Sequence, residues 1–331
     1  MNDNFPALAE FRSDHAMHPA SDFERDFVAC LSRKPHRISP KYLYDRAGSA
    51  LFDRICTLPE YYPTRAEQSI LTHNATEIAK YIGPNVDLVE FGAGSLAKIR
   101  PLLDAFAPGC RPARYLPVDI SGEHLALAAS ELSAAYPDVA VEPIVADYTA
   151  QIAWPDGPQR RRVGFFPGST LGNFDADEAL RFLKSAATLL RGGGLLLGID
   201  LIKEPLILHN AYNDRDGMTA AFNGNLLRRA NRELGADFDL KCFRHYAFYN
   251  PSMQRIEMHL VSTRNQVVAL GARSFVLNEG DSIHTESSYK YSVPMFRDLA
   301  SSAGYQPKAV WFDTDRLFSV HWLEVPAAHQ R

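Results

Sequence analysis

The stretch Val86–Lys98, VDLVEFGAGSLAK, limits what this 331-residue chain can fold into more than any other. Val86, Leu88, Val89 and Phe91 make a buried strand, Gly92-Ala93-Gly94 turns the chain, and a helix over 96–107 is expected to follow. Glycine at such a junction permits a sharp turn and keeps any Cβ out of a ligand's way. The first N–H groups of a helix lack intrahelical partners, so they point at whatever sits in the turn. A nucleotide-like ligand is the first expectation.

The glycine pattern does not choose that ligand. Gly92-x-Gly94-x-x-Ala97 fits a dinucleotide fingerprint, and Asp119 stands 25 residues beyond Gly94, near the place of a ribose-binding acid. Two features point instead to S-adenosylmethionine. Glu90 precedes the first glycine by two residues, where an acid can meet the ammonium of a bound amino acid. Acidic or polar groups then follow at successive strand ends: Asp119, Asp147 with Tyr148, and Asn173. A nicotinamide dehydrogenase is the alternative enzyme, and a cofactor-sensing module with a degenerate site is the non-enzymatic one.

From Val86 to Leu201 strand and helix alternate, with strands expected near 86–91, 114–119, 139–145, 162–166 and 194–201 and further helices near 122–135 and 175–190. Such alternation implies a doubly wound α/β sheet, parallel and covered on both faces, with ligands outside the carboxyl ends of its strands. Ahead of it, Ser21 caps a helix, and Thr64 with Glu67 suggests a capping box opening a helix over 65–82. After Leu201 the pattern changes to polar helices over 202–236, broken near 214–217, and then to a meander of strands. A helix over 294–303 and two strands near 308–313 and 317–325 close the chain. The expected organisation is a loose tail over 1–20, a core from 65–201 plus 290–331, and a second α+β lobe from 21–64 plus 202–289.

Lys and Arg total 35 against 39 Asp and Glu, and no basic tract interleaved with aromatics occurs, so a nucleic-acid partner is not expected. The longest apolar run, 195–202, is interrupted by Asp200 and too short to span a bilayer. Cys30, Cys56, Cys110 and Cys242 are too scattered for a disulfide framework or a zinc knuckle. With no signal peptide at the start, a cytoplasmic protein is expected, with no membrane partner.

Several local patterns have plain readings. Gly168-Ser169-Thr170-Leu171-Gly172 has the outline of a nucleophile elbow, but Thr170 occupies the central position. It reads better as a tight loop carrying Asn173 into the crevice, or as a turn in which Asn173 caps a helix. His15 and His18 lack a third ligand, and His245, His259, His284 and His321 fall in strand-like stretches as structural residues, so no metal is expected. Tyr44 and Tyr61 read locally as core aromatics, and Glu286 as an exposed strand residue.

Taken together, KYLYDRAGSALFDRICTLPEYYPTR, VEFGAGSLAK, LPVDIS, GSTLGNF, GIDLIKE, GMTAAFNGNLL, RIEMHL and TESSYKY resemble the histidine Nα-methyltransferases of ergothioneine biosynthesis, from about Pro40 to the C-terminus. The resemblance implies a Rossmann-like class I methyltransferase core with a second, substrate-binding lobe. It implies cofactor contacts from Gly92, Lys98, Asp119, Asp147 and Tyr148, beside the Glu90 and Gly94 of the turn. It also implies L-histidine contacts from Tyr61, Asn173, Tyr212, Glu286 and Ser288, with Tyr44, Gly168 and Met258 lining the same pocket. Asn173 and Tyr212 would donate to the substrate carboxylate, while Glu286 and Ser288 would engage the imidazole.

Methyl transfer from a sulfonium to an amine is an in-line displacement that asks for alignment and exclusion of water. No side chain is therefore assigned a catalytic role beyond positioning, with Tyr44 beside the amine. Three transfers giving hercynine, by an enzyme acting as a monomer, are expected. Another amino acid or amine is the alternative substrate, because fungal relatives of the family act on a prenylated tryptophan.

Overall fold

A computed structural model describes residues 21–327. The tail assigned to 1–20, with His15 and His18, lies outside them. Asp87–Phe91, Arg114–Asp119, Arg162–Phe166 and Gly194–Asp200 form the parallel centre of an eight-stranded sheet and are buried along nearly their whole length. Strands covered on both faces need apolar residues at successive positions, which is why these segments read as largely hydrophobic runs, broken by a few buried charges such as Glu90 and Asp200. Leu88, Val163, Phe165 and Leu196 enter the core on one face, and Val89, Phe91, Phe166 and Leu197 the core on the other. Asp87–Phe91 lies between Arg162–Phe166 and Arg114–Asp119, so the strand order reverses beside it. The crevice for a ligand opens at such a reversal.

A hairpin completes one edge: Phe318–Glu324 pairs antiparallel with Gly194–Asp200, and Gln306–Phe312 lies outside it. The architecture is the doubly wound α/β sheet expected from the alternation. A second apolar core gathers Phe27, Leu43 and Ile55 with Leu208, Leu226, Met258 and Ile283. Its sheet runs His36–Arg37, Ser282–Tyr289, Arg255–Ser262, Phe243–Asn250, antiparallel except for the first pair.

Several elements differ from their sequence reading. The helix expected over 65–82 is two, Tyr62–His73 and Ala75–Ile82, because Asn74 turns back and gives its side-chain amide to Ile70 O at 2.8 Å. The first begins at Tyr62, with Pro63 in the opening turn where a missing N–H costs nothing. No capping box forms at Thr64, and Glu67 is fully buried instead. The helix expected over 96–107 shrinks to Arg100–Asp104, preceded by irregular turns in which Leu96 has φ 55°. The strand expected over 139–145 is split into Ala140–Val141 and Ile144–Val145 around Pro143, which has no N–H for the ladder. Asp175, not Asn173, caps the helix Ala176–Leu189, in a capping box with Glu178.

His321 sits in the hairpin without solvent exposure, its Nε2 2.9 Å from Ser319 Oγ. Burial pushes its pKa down to about 3, so the folded state holds it neutral. The unfolded chain binds this proton near pH 6.5, so stability is lost as pH falls from there toward 3 and the loss then saturates. The expected cost at pH 5 is about 2 kcal/mol. Urea midpoints should fall between pH 7 and 5 in the wild type and fall less in His321→Gln; equal slopes would contradict this assignment.

Candidate functional site

The site grows from the carboxyl ends of the parallel strands. Gly92 and Gly94 have φ of 68° and 54°, the left-handed region that costs glycine little. A Cβ added to Gly94 would meet nothing within 4 Å, whereas one on Gly92 would press Tyr148 at 3.4 Å. The turn is therefore open on one side and backed by an aromatic ring on the other, which fits a flat, polar ligand. Asp119 braces it, accepting from Gly94 N at 3.0 Å and from Ser121 N at 2.9 Å. The short helix at Arg100 starts six residues after Gly94, so it does not aim its N–H groups into the turn as expected. Backbone geometry and Asp119 shape this place instead.

Asp147 accepts from Thr149 N at 2.9 Å and from Lys41 Nζ at 3.1 Å. Burial works to raise its pKa, but these partners hold it below the usual carboxylate range. Tyr148 packs edge-on against Phe91, Phe166 and Phe182. A cleft of about 520 Å³ opens beside Asp147, bordered by Lys41, Tyr44, Ser121, Gly122 and Arg229. Glu90 is buried and accepts a short hydrogen bond from the Tyr115 hydroxyl. Burial raises its pKa to about 8, so this acid is tied to the strand next door.

Glu67 is a residue that the sequence reading assigned to the wrong task. Its carboxylate lies 2.6 Å from Lys98 Nζ and accepts from Gly168 N at 2.9 and 3.0 Å. Burial works to lower the Lys98 ammonium, and Glu67 more than compensates, holding it above its ordinary range. One carboxylate thus joins Lys98, which follows the glycine turn, to Gly168, which opens the 168–173 loop. Gly168 has φ 82°, and Ser169 is left-handed at φ 55°, held by Asp200 N donating to its Oγ at 2.8 Å. The loop ends in the turn Thr170–Asn173, packed so tightly on Ser282–Tyr289 that a Cβ on Gly172 would meet Tyr289 O at 2.8 Å. Asn173 thereby comes beside the strand that carries Glu286 and Ser288.

On that strand the pairing slips between His284 and Glu286: Ile283 opposes Leu260, Glu286 opposes Met258 and Ser288 opposes Ile256. The extra residue inverts the alternation, so Glu286 and Ser288 share the face of the apolar Ile283. Glu286, read locally as exposed, is buried for this reason. Its Oε2 has no hydrogen-bond partner, and burial raises its pKa to about 7. A buried carboxylate oxygen without a partner marks a place where a donor from outside the chain would be welcome. Tyr44, Tyr61 and Tyr212 surround it: burial first, and then the Glu286 charge among others, raises the pKa of each phenol. Tyr61 meets Tyr212 edge-on, and Tyr44 meets Phe222.

Beneath these lies a second group that the sequence reading missed. Asp200 pairs with Lys290 at 2.7 Å and with Lys203, and accepts from the Tyr62 hydroxyl at 2.8 Å. Lys290 also donates to Ser288 Oγ at 2.7 Å and to Tyr212 Oη at 3.4 Å. An acid interrupting an otherwise apolar strand was the available signal.

Among the described residues, Glu257, His259 and His284 bring ligand atoms within 4.8 Å of one another. The two rings stack, 4.7 Å apart and 12° from parallel. Imidazole lone pairs lie in the ring plane, so near-parallel rings cannot converge on one tetrahedral ion. Glu257 is occupied by Arg255 at 2.7 Å, and His284 Nε2 donates to Glu286 O at 3.0 Å, securing the bulge. These histidines serve the structure.

Glu67→Ala leaves Lys98 and Gly168 N without their buried partner. Urea unfolding should show a loss of about 3–5 kcal/mol; a change below about 1 kcal/mol, the scale of an exposed pair, would contradict the linking role.

The sequence pattern of the SAM-dependent, histidine-specific methyltransferase family matches residues 23–325. Histidine N-alpha-methyltransferase of Mycolicibacterium smegmatis is 38% identical over 89% of this chain and 92% of its own length. The protein of the same name from Mycobacterium tuberculosis is 37% identical over 93% and 95%. Ergothioneine biosynthesis protein 1 of Neurospora crassa is 30% identical over 84% of this chain and 32% of its own length. The resemblance carried by the motifs thus extends over the whole described fold, and the chain belongs to the S-adenosylmethionine-dependent, histidine-specific methyltransferase family.

Proposed function

We propose that the protein transfers methyl groups from S-adenosylmethionine to the α-amine of L-histidine, three times in succession, giving hercynine for ergothioneine biosynthesis. The observation that carries the choice of substrate is the buried, unpartnered Oε2 of Glu286, with the Ser288 hydroxyl two residues along the same face. An imidazole N–H satisfies that oxygen, and an apolar or bulkier ring leaves it bare. Sites built from buried polar groups reject unmatched analogues far more strongly than apolar pockets do.

The donor, when bound, supplies an electrophilic methyl group. Gly92, Gly94, Lys98, Asp119, Asp147 and Tyr148 are the residues we assign to it; the open Gly94 turn and the cleft beside Asp147 support that assignment. Asn173 and Tyr212 are assigned to the histidine carboxylate, with Tyr61, Gly168 and Met258 shaping the pocket. Tyr44 is assigned to the amine. The phenols here are held in their neutral form, so they can accept or donate without fixing an ammonium. Neutral phenols of this kind let an amine lose its proton and tolerate each added methyl.

In the same reading, residues 65–201 with 290–331 form the cofactor core, and 21–64 with 202–289 form the substrate lobe. The protein acts as a cytoplasmic monomer without nucleic-acid or membrane partners. The formal charge of the chain is −4, and among the described residues no helix is long and apolar enough to cross a membrane.

Incubation with S-adenosylmethionine and each of the twenty amino acids, followed by mass spectrometry, should give trimethylated histidine and leave the rest unmodified. A product stopped at one methyl under excess donor would refute successive transfer, and preference for another amino acid would refute the substrate. Glu286→Ala should weaken histidine use by about 1–3 kcal/mol, the scale of a lost buried hydrogen bond; its kcat/KM for histidine reports this.

A further inference from the structure

The hydroxyl of Ser288 could face an imidazole nitrogen either as donor or as acceptor, and its surroundings decide between the two. The Lys290 ammonium carries three protons and no lone pair. It has three oxygen neighbours: Asp200 Oδ2 at 2.7 Å, Ser288 Oγ at 2.7 Å and Tyr212 Oη at 3.4 Å. Each must therefore accept. A hydroxyl that accepts from an ammonium cannot aim its own proton at it, so the Ser288 proton turns away from Lys290, with the Tyr212 hydroxyl and the pocket as the acceptors left to it. We propose that Lys290 is a positioning residue which fixes Ser288 as a donor, so that the site takes its substrate's imidazole as the neutral ring, N–H toward Glu286 and lone pair toward Ser288. This rests on the reading that Glu286 and Ser288 hold the histidine ring.

The charges behind the strand act in the same sense. Lys290 is 1% exposed, and Asp200, 1% exposed, is shared with Lys203 and the Tyr62 hydroxyl. Two cations face one carboxylate there. The remaining titratable groups facing the ring are Glu286, Tyr44, Tyr61 and Tyr212; the phenols stay neutral, and Glu286, its pKa raised to about 7 by burial, is the one that takes up a proton within the range titrated. An imidazolium would present N–H groups at both nitrogens and set one against the Ser288 proton. Glu286 alone would favour that imidazolium, so the outcome distinguishes control by Lys290 from control by Glu286.

The experiment is nitrogen-15 NMR of ring-labelled histidine bound to the full-length protein with S-adenosylhomocysteine, titrated from pH 8 to about 5.5, below the ordinary imidazole pKa of about 6.5. The expected spectrum keeps one pyridine-type and one pyrrole-type nitrogen throughout. Two imidazolium-type nitrogens at the acidic end would overturn the inference while leaving histidine as the substrate. Lys290→Met, in which Asp200 keeps Lys203, should raise the bound ring's pKa by about one unit or more, and the dissociation constant for S-adenosylmethionine should stay within about twofold, a change small against the tenfold that 1.4 kcal/mol brings. Should that variant not fold, Ser288→Ala removes the same proton and should shift the ring pKa in the same direction. An unshifted ring pKa in either folded variant would overturn the assignment. If no bound histidine is seen at all in the wild type, the substrate reading fails and this inference falls with it.

Discussion

The ion pair between Asp200 and Lys290 joins the two sheets at the level of the site. Asp200 ends the buried strand Gly194–Asp200, and Lys290 follows Ser282–Tyr289 of the smaller sheet. The backbone continues the junction, with Tyr291 N donating to Asp200 O at 3.1 Å and Ile202 N to Tyr291 O at 3.1 Å. Burying charges is expensive, and an apolar replacement of similar volume would often be at least as stable. What the pair supplies is position. Once Lys290 is held by Asp200, the oxygens of Ser288 and Tyr212 have fixed neighbours, and the polar face around Glu286 is built on them.

Glu67 does the corresponding task on the other side of the crevice. It links the segment after the glycine turn to the loop after Arg162–Phe166, through Lys98 and Gly168 N. Glu67 and Asp200 both hold the start of the 168–173 loop, Glu67 through its carboxylate on Gly168 N and Asp200 through its backbone N–H on Ser169 Oγ. This loop carries Asn173 and lies between the face we assign to the donor and the one we assign to the amino acid. For a displacement that needs alignment and dryness more than acid–base help, a rigid loop of this kind is the appropriate device.

Much of this was legible in the chain. The largely apolar runs at 87–91, 114–119, 162–166 and 194–200 gave strands where expected, because strands covered on both faces are built mainly of apolar residues, and the acids among them, such as Glu90 and Asp200, are buried with partners of their own. Asp119, singled out by its distance from Gly94, does reach the turn, accepting from Gly94 N, and Ser21 does cap its helix, accepting from Glu24 N at 3.1 Å. The failures share a cause: tertiary partners outweighed local patterns. Glu67 has the right spacing from Thr64 for a capping box, yet a buried lysine and a loop N–H claim it. Glu286 sits in a strand whose alternation says exposed, and a one-residue bulge held by His284 turns it inward. No spacing rule finds such a bulge, and it took the family resemblance of TESSYKY to single that residue out. Asp200 was visible as a charge in an apolar run, but its partner Lys290 is 90 residues away.

The central claim is that the unpartnered Glu286 oxygen is where the substrate's ring is read, across the crevice from the Gly92–Gly94 turn. A crystal structure with L-histidine and S-adenosylhomocysteine tests it most directly. The account predicts an imidazole nitrogen within hydrogen-bond distance of Glu286 Oε2, the amino-acid carboxylate beside Asn173 and Tyr212, and the adenosine against Asp119 and Asp147. An imidazole bound away from Glu286, with its α-amine turned from the cofactor's sulfur, would contradict it.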